Sequence, residues 1–156
     1  MTHVFNTVPT PFENATLNLK LFDLRRETAL RDARQWFLAD FNPVSFAELA
    51  AIAGGPRNAS FRMVLGYWDM AASLVTTGAI DGEAFRAAHG EIFLTFAKVY
   101  PFLSELRTAS GEPDFCRHIE TVVLQEPEAE AIMTRRRAAA IAAAKARAAN
   151  PSPQAG

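Results

Sequence analysis

The stretch FRMVLGYWDMAASLVTTG, residues 61–78, constrains the fold more than any other. Phe61, Val64, Leu65, Trp68, Ala71, Ala72 and Val75 recur at steps of one, three and four. At about 100° per residue they form one stripe on a helix. Met63, Tyr67, Met70 and Leu74 lie on or near the opposite side. A helix apolar on two faces belongs in the middle of a bundle, packed by more than one neighbour. Gly66 offers room for a close crossing, Gly78 a C-cap, and Asp81 an N-cap for the next helix.

The flanking segments are also helical. Phe22, Ala29, Leu30, Ala33, Phe37 and Phe41 recur at helical steps, with Trp36 beside them and a Glu27–Arg31 pair of favourable polarity. This predicts one helix from about Leu19 to Asp40, stopped by Asn42-Pro43. In VSFAELAAIAGG, Ser45 and Glu48 make a capping box. Val44 and Leu49 can staple it, and Gly54-Gly55 ends it. Residues 82–109 read as one helix or two, broken near His89-Gly90, with a kink at Pro101. Phe115, Ile119, Val122 and Val123 mark a short amphipathic helix, and a last helix follows Pro127. Beyond Ile141 that helix has little to bury, so its end is expected to fray.

The expected architecture is all-α: a single-domain bundle of about five to six helices over residues 17–149. Residues 1–16 are expected to form a flexible arm and residues 150–156 a disordered tail. The length of 156 residues suits one domain, and 49% hydrophobic with 21% charged residues is a globular composition. Cys116 is the sole cysteine, which excludes an internal disulfide and suits a reducing compartment. The N-terminus lacks a basic start with an apolar run, and no apolar run nears the ~20 residues of a membrane helix. The expectation is a cytoplasmic protein.

The residues exclude several chemistries. His3, His89 and His118 have no metal-ligand spacing, and no Glu-x-x-His occurs, so no metal or cofactor is expected. Neither GxSxG nor a phosphate-binding glycine loop is present, and Cys116 near His118 makes no dyad motif. Two candidate sites remain. Tyr67, Trp68 and the aromatics of residues 93–102 would line an apolar pocket, with Arg62, Asp69, His89 or Glu91 as its polar groups. The competing reading, a filled core with Arg62 and Asp69 as an ion pair, is favoured, because aromatics at helical spacing are mostly core.

The second candidate is the basic end. Residues 1–133 hold 11 basic against 17 acidic residues, a net of −6, and residues 134–156 carry +5. Arg135, Arg136 and Arg137 would meet phosphates. Five charges on an acidic protein is a small number, however, so a solvated helix end is favoured over nucleic-acid contact. What remains is an interaction module that self-associates or docks a protein partner. A small-molecule binder or enzyme is the alternative.

LFDLRRETALRDARQWF, FRMVLGYWDMAASLVTTGAI and GEIFLTFAKVYPFLSELR together resemble a family of short, uncharacterised bacterial helical proteins. The likeness spans roughly Leu19 to Arg136, with Asp69 where the family pattern has glutamate. It implies an all-helical domain of unknown function and carries over no activity. It draws attention to Arg26, Trp68, Asp69 and Glu91.

Overall fold

The computed structural model describes residues 8–151. The chain runs α1 (Pro11–Arg25), α2 (Thr28–Ala39), α3 (Phe46–Ala53), α4 (Asn58–Thr76), α5 (Gly82–Ala88) and α6 (Glu91–Ala97). A 3-10 turn at Tyr100–Phe102 leads to α7 (Leu103–Ser110), α8 (Arg117–Leu124) and α9 (Ala129–Ala149). The all-helical class holds, with more helices than the five or six expected. Among the described residues, no helix is long and apolar enough to cross a membrane. The expectations for residues 1–7 and 152–156 lie outside the described residues.

The higher count has local causes. The predicted Leu19–Asp40 helix is two helices, because Glu27 caps rather than continues. Its carboxylate accepts from the N–H groups of Ala29 (3.1 Å) and Leu30 (2.9 Å). Those two bonds hold the Glu27 carboxyl below the usual carboxylate range. The first of these helices also begins earlier than predicted, inside the expected arm. Thr10 and Glu13 form a reciprocal capping box, with Pro11 at the first helical position. The Thr-Pro-Phe-Glu signal was legible and outranks the arm reading of residues 11–16. Further along, the break at His89-Gly90 separates α5 from α6 as expected, and Pro101 sits in the 3-10 turn.

The central position predicted for 61–78 holds: α4 packs between α2 and α8. Phe61, Val64, Leu65, Trp68, Ala71 and Ala72 are buried, and Trp68 has no exposed surface. Its second face is only partly covered. Tyr67 is buried, but Met63 and Met70 are exposed. Gly66 touches no neighbouring element, so it marks no close crossing. Gly78 takes a left-handed φ of +85°, and the turn brings the Ile80 N–H to the Leu74 carbonyl at 2.9 Å. Ser45 caps α3 as predicted, while Glu48 accepts from the Val44 N–H and Val44 stays exposed, so no staple forms.

The last helix continues to Ala149, and three of its four arginines donate to carbonyls of other segments. Arg136 donates to Gly90 O (2.6 Å), Arg137 to Pro43 O (3.0 Å) and Arg147 to Ala39 O (2.6 Å). Lys98, wholly buried, donates to the Phe37 and Leu38 carbonyls at 2.9 and 2.7 Å. Three cations thus gather about the C-terminal end of α2 and the loop after it, where the helix dipole favours positive charge. Burial pushes the Lys98 amine down to about 8, and Arg147 pushes the same way.

Candidate functional site: a polar seam beneath the first helix

The face that α1 turns toward the protein is mixed. Asn14, Leu17, Asn18, Leu21 and Arg25, at steps of three, one, three and four, lie on it. Leu17 and Leu21 pack on the core, and the other three are polar. Phe12, Ala15, Leu19 and Phe22, at steps of three, four and three, turn the other way. Phe12 is 80% exposed, Leu19 68% and Phe22 40%; Val8, just before the helix, is 82% exposed.

Hydrogen bonds and charge hold the inward face. The Asp81 N–H donates to Asn14 Oδ1 at 2.7 Å. The Tyr67 hydroxyl donates to the Leu21 carbonyl at 2.6 Å, and burial pushes the Tyr67 phenol up to about 12. His89 Nε2 lies 2.9 Å from Asn18 Oδ1. Asn18 spends its amide nitrogen on the Asn14 carbonyl (2.9 Å), so its oxygen faces the imidazole and Nε2 carries the proton. His89 has no exposed surface, and its Nδ1 has no partner. Burial pushes the imidazole down to about 4. The Arg25 charge acts in the same direction and Glu91 opposes it.

Glu91 opens α6 and accepts from two arginines. Arg25 Nη2 lies 2.7 Å from Oε2, while Arg34 donates through Nε (2.7 Å to Oε1) and Nη2. Arg34 also donates to the Arg25 carbonyl at the end of α1 (3.3 Å). The Arg25 guanidinium lies over the Phe22 ring at 4.9 Å and the Trp68 ring at 5.1 Å. His89 lies between Phe22, stacked on it, and Phe85, tilted to it, each 4.7 Å away by ring centroid, with Trp68 edge-on at 6.0 Å. One carboxylate, two guanidiniums and a neutral imidazole therefore fix which way α1 is turned. Chemically this is a latch, because both oxygens of its carboxylate already have their donors.

Of the residues singled out by sequence, Tyr67, Trp68, His89 and Glu91 meet in this seam. Arg62 and Asp69 do not. Arg62 is exposed, and Asp69 Oδ1 accepts from the N–H groups of His118 (3.0 Å) and Ile119 (3.1 Å), capping α8 across the chain. Both line a surface groove of about 430 Å³ with Phe115 and Cys116, but no ion pair joins them. Cys116 precedes α8 with a φ of +58°, its thiol buried and pushed up to about 12. Arg136 and Arg137 serve carbonyls, and Arg135 is exposed. Among the described residues no three His, Cys, Asp or Glu converge as metal ligands.

Sequence reasoning missed Asn14, Asn18, Arg25 and Arg34. The resemblance pointed to Arg26, which is exposed, one residue away from the buried Arg25. With α1 started at the Thr10 cap, the 14-18-21-25 spacing would have disclosed the inward face.

The fold and seam define an all-helical domain whose N-terminal helix is latched on by polar side chains. A family model, a domain of unknown function (DUF4760), matches residues 11–125, most of the chain and the whole of the seam. The chain belongs to that family. No curated protein and no solved structure matches it.

Proposed function

We propose that the chain is a non-enzymatic helical interaction module whose docking surface is the outward face of α1. The observation that carries this reading is the exposure of Phe12 and Leu19 on a helix already held to the domain through its other face. A contiguous apolar patch of this kind, bordered by polar residues, marks an interaction site. Beside it, α1 and the α4–α5 turn border an open groove of about 790 Å³ lined by Val8, Pro11, Ala15, Ile80 and Ala84. An aromatic-lined ligand pocket between α4 and α6 has less support, since Trp68 and Phe96 have no exposed surface. Nucleic-acid contact also has less, since Arg136, Arg137 and Arg147 are engaged by carbonyls. The single buried thiol supports a cytoplasmic setting.

The test is photo-crosslinking in the native host, with a benzophenone amino acid at Leu19 and, as control, at the exposed Glu105. Adducts specific to position 19 are expected. Equal or absent adducts at both positions overturn the reading.

A further inference from the structure

The outward residues of α1 form a two-heptad seam. Phe12, Ala15, Leu19 and Phe22 occupy alternating a and d positions, and Arg26 takes the next a position. The opposite side, with Leu17 and Leu21, faces the body of the domain. We propose that this seam pairs with the α1 seam of a second copy of this chain, antiparallel across a two-fold axis. The proposal rests on the reading of α1 as the docking surface and names its partner.

Size and charge select that arrangement. In an antiparallel pair an a residue faces a d residue. Phe12 then meets Phe22 of the second copy, and Leu19 meets Ala15, so a large residue lies over a small one in the central layers. The first turn carries Glu13, and Arg26 caps the far end. In that register Arg26 falls opposite Val8 at the mouth of the seam, away from its own counterpart, and the helix dipoles run head to tail. A parallel pair would place Arg26 on Arg26 within the seam and Glu13 near Glu13.

The area is sufficient for a weak dimer. Val8, Phe12, Leu19 and Phe22 expose on the order of 400–500 Å² of apolar surface per copy, against ~800 Å² per partner in a standard interface. A pair of this size falls in the weak, transient class of interfaces. An isolated 15-residue helix would be marginal in water. Here the latch holds α1 helical and correctly turned before pairing, which reduces the ordering cost.

The experiment is sedimentation equilibrium on the full chain, with Leu19→Asp and Glu105→Lys variants whose folding is checked by thermal melting. Reversible dimerisation is expected, weakened about tenfold or more by Leu19→Asp and unchanged by Glu105→Lys. Orientation is read by oxidising an equimolar mixture of Ala15→Cys and Leu19→Cys chains. Cys116, 3% exposed, stays out of that reaction. Preferential joining of position 15 to position 19 is expected, and 15-to-15 joining overturns the antiparallel pair. A folded monomer at several hundred micromolar, or a dimer indifferent to Leu19→Asp, overturns self-pairing. Flotation with phosphatidylcholine vesicles that depends on Leu19, in place of dimers, also overturns it. A monomer that still gives position-19 adducts to another protein in cells sinks self-pairing and leaves the docking reading standing.

Discussion

Helix α4 buries an almost wholly apolar stripe, whereas α1 buries a mixed one. In α4 the apolar stripe faces inward, and the exposed positions include Arg62 and Thr76. In α1 two asparagines and an arginine face the domain beside Leu17 and Leu21, while Phe12 and Leu19 face water and Phe22 lies at the edge, over His89. The hydrophobic effect explains α4 without help. In α1 it explains only the two inward leucines, and directed bonds to Asp81, His89, Tyr67 and Glu91 supply the rest of the orientation. A helix held this way can keep an apolar face free, because its attachment does not use that face.

The largest expected effect tests the α4 half of this contrast. Trp68→Ala removes a wholly buried indole and should cost about 3–5 kcal/mol in urea denaturation. A cost below about 1 kcal/mol would mean that Trp68 is not the packing centre. The α1 half is tested next at Glu91. Glu91→Ala leaves Arg25 and Arg34, both mostly buried, without their carboxylate. The expected cost is about 2–3 kcal/mol, discounted from a fully buried pair because both ends retain some exposure. Amide hydrogen exchange in Pro11–Arg25 should then accelerate more than in α4. Equal acceleration in both helices would contradict a latch specific to α1.

The imidazole gives the same contrast a pH axis. His89 is held near 4 in the folded chain against an ordinary 6.5, so the unfolded chain binds the proton more tightly. Its contribution is full above pH 6.5 and is lost as pH falls through 4, amounting to about 2–3 kcal/mol. His89→Gln should flatten stability between pH 6.5 and 4. Lys98, held near 8 against 10.5, acts on the alkaline side: its burial penalty is complete below pH 8 and is relieved as pH rises to 10.5. A stability profile that falls between pH 8 and 10.5 in a manner abolished by Lys98→Met would contradict this assignment.

The difference between the helices also explains what was legible in the residues. Period-3.6 apolar spacing identified α4 and its inward face, because burial there follows hydrophobicity. The same rule placed Phe22 in a core stripe, whereas its ring covers His89 at the edge of the seam. Asp69 was legible as the polar exception on α4, but the donors it serves lie 49 and 50 residues away on α8, and no local spacing encodes them. Tyr67, Trp68, His89 and Glu91 stood out by residue type. Asn14, Asn18 and Arg25 are ordinary types in a helix, and only the meeting of α1 with α2, α4, α5 and α6 makes them a site.

The smallest expected effect is the most discriminating. Leu19→Asp places a carboxylate where the leucine is already 68% exposed and touches none of the latch bonds. Monomer stability should therefore change by no more than about 0.5 kcal/mol, read by urea denaturation at low micromolar concentration. An inward leucine of the same length, Leu21, provides the internal reference. Leu21→Asp buries an unpaired carboxylate two residues away and should destabilise severely. If the two substitutions cost the same, α1 is not turned as described, and both the latch and the docking face fail together. If only Leu21→Asp is costly, the exposed seam adds nothing to the folding of a single chain, and its apolar residues call for a partner.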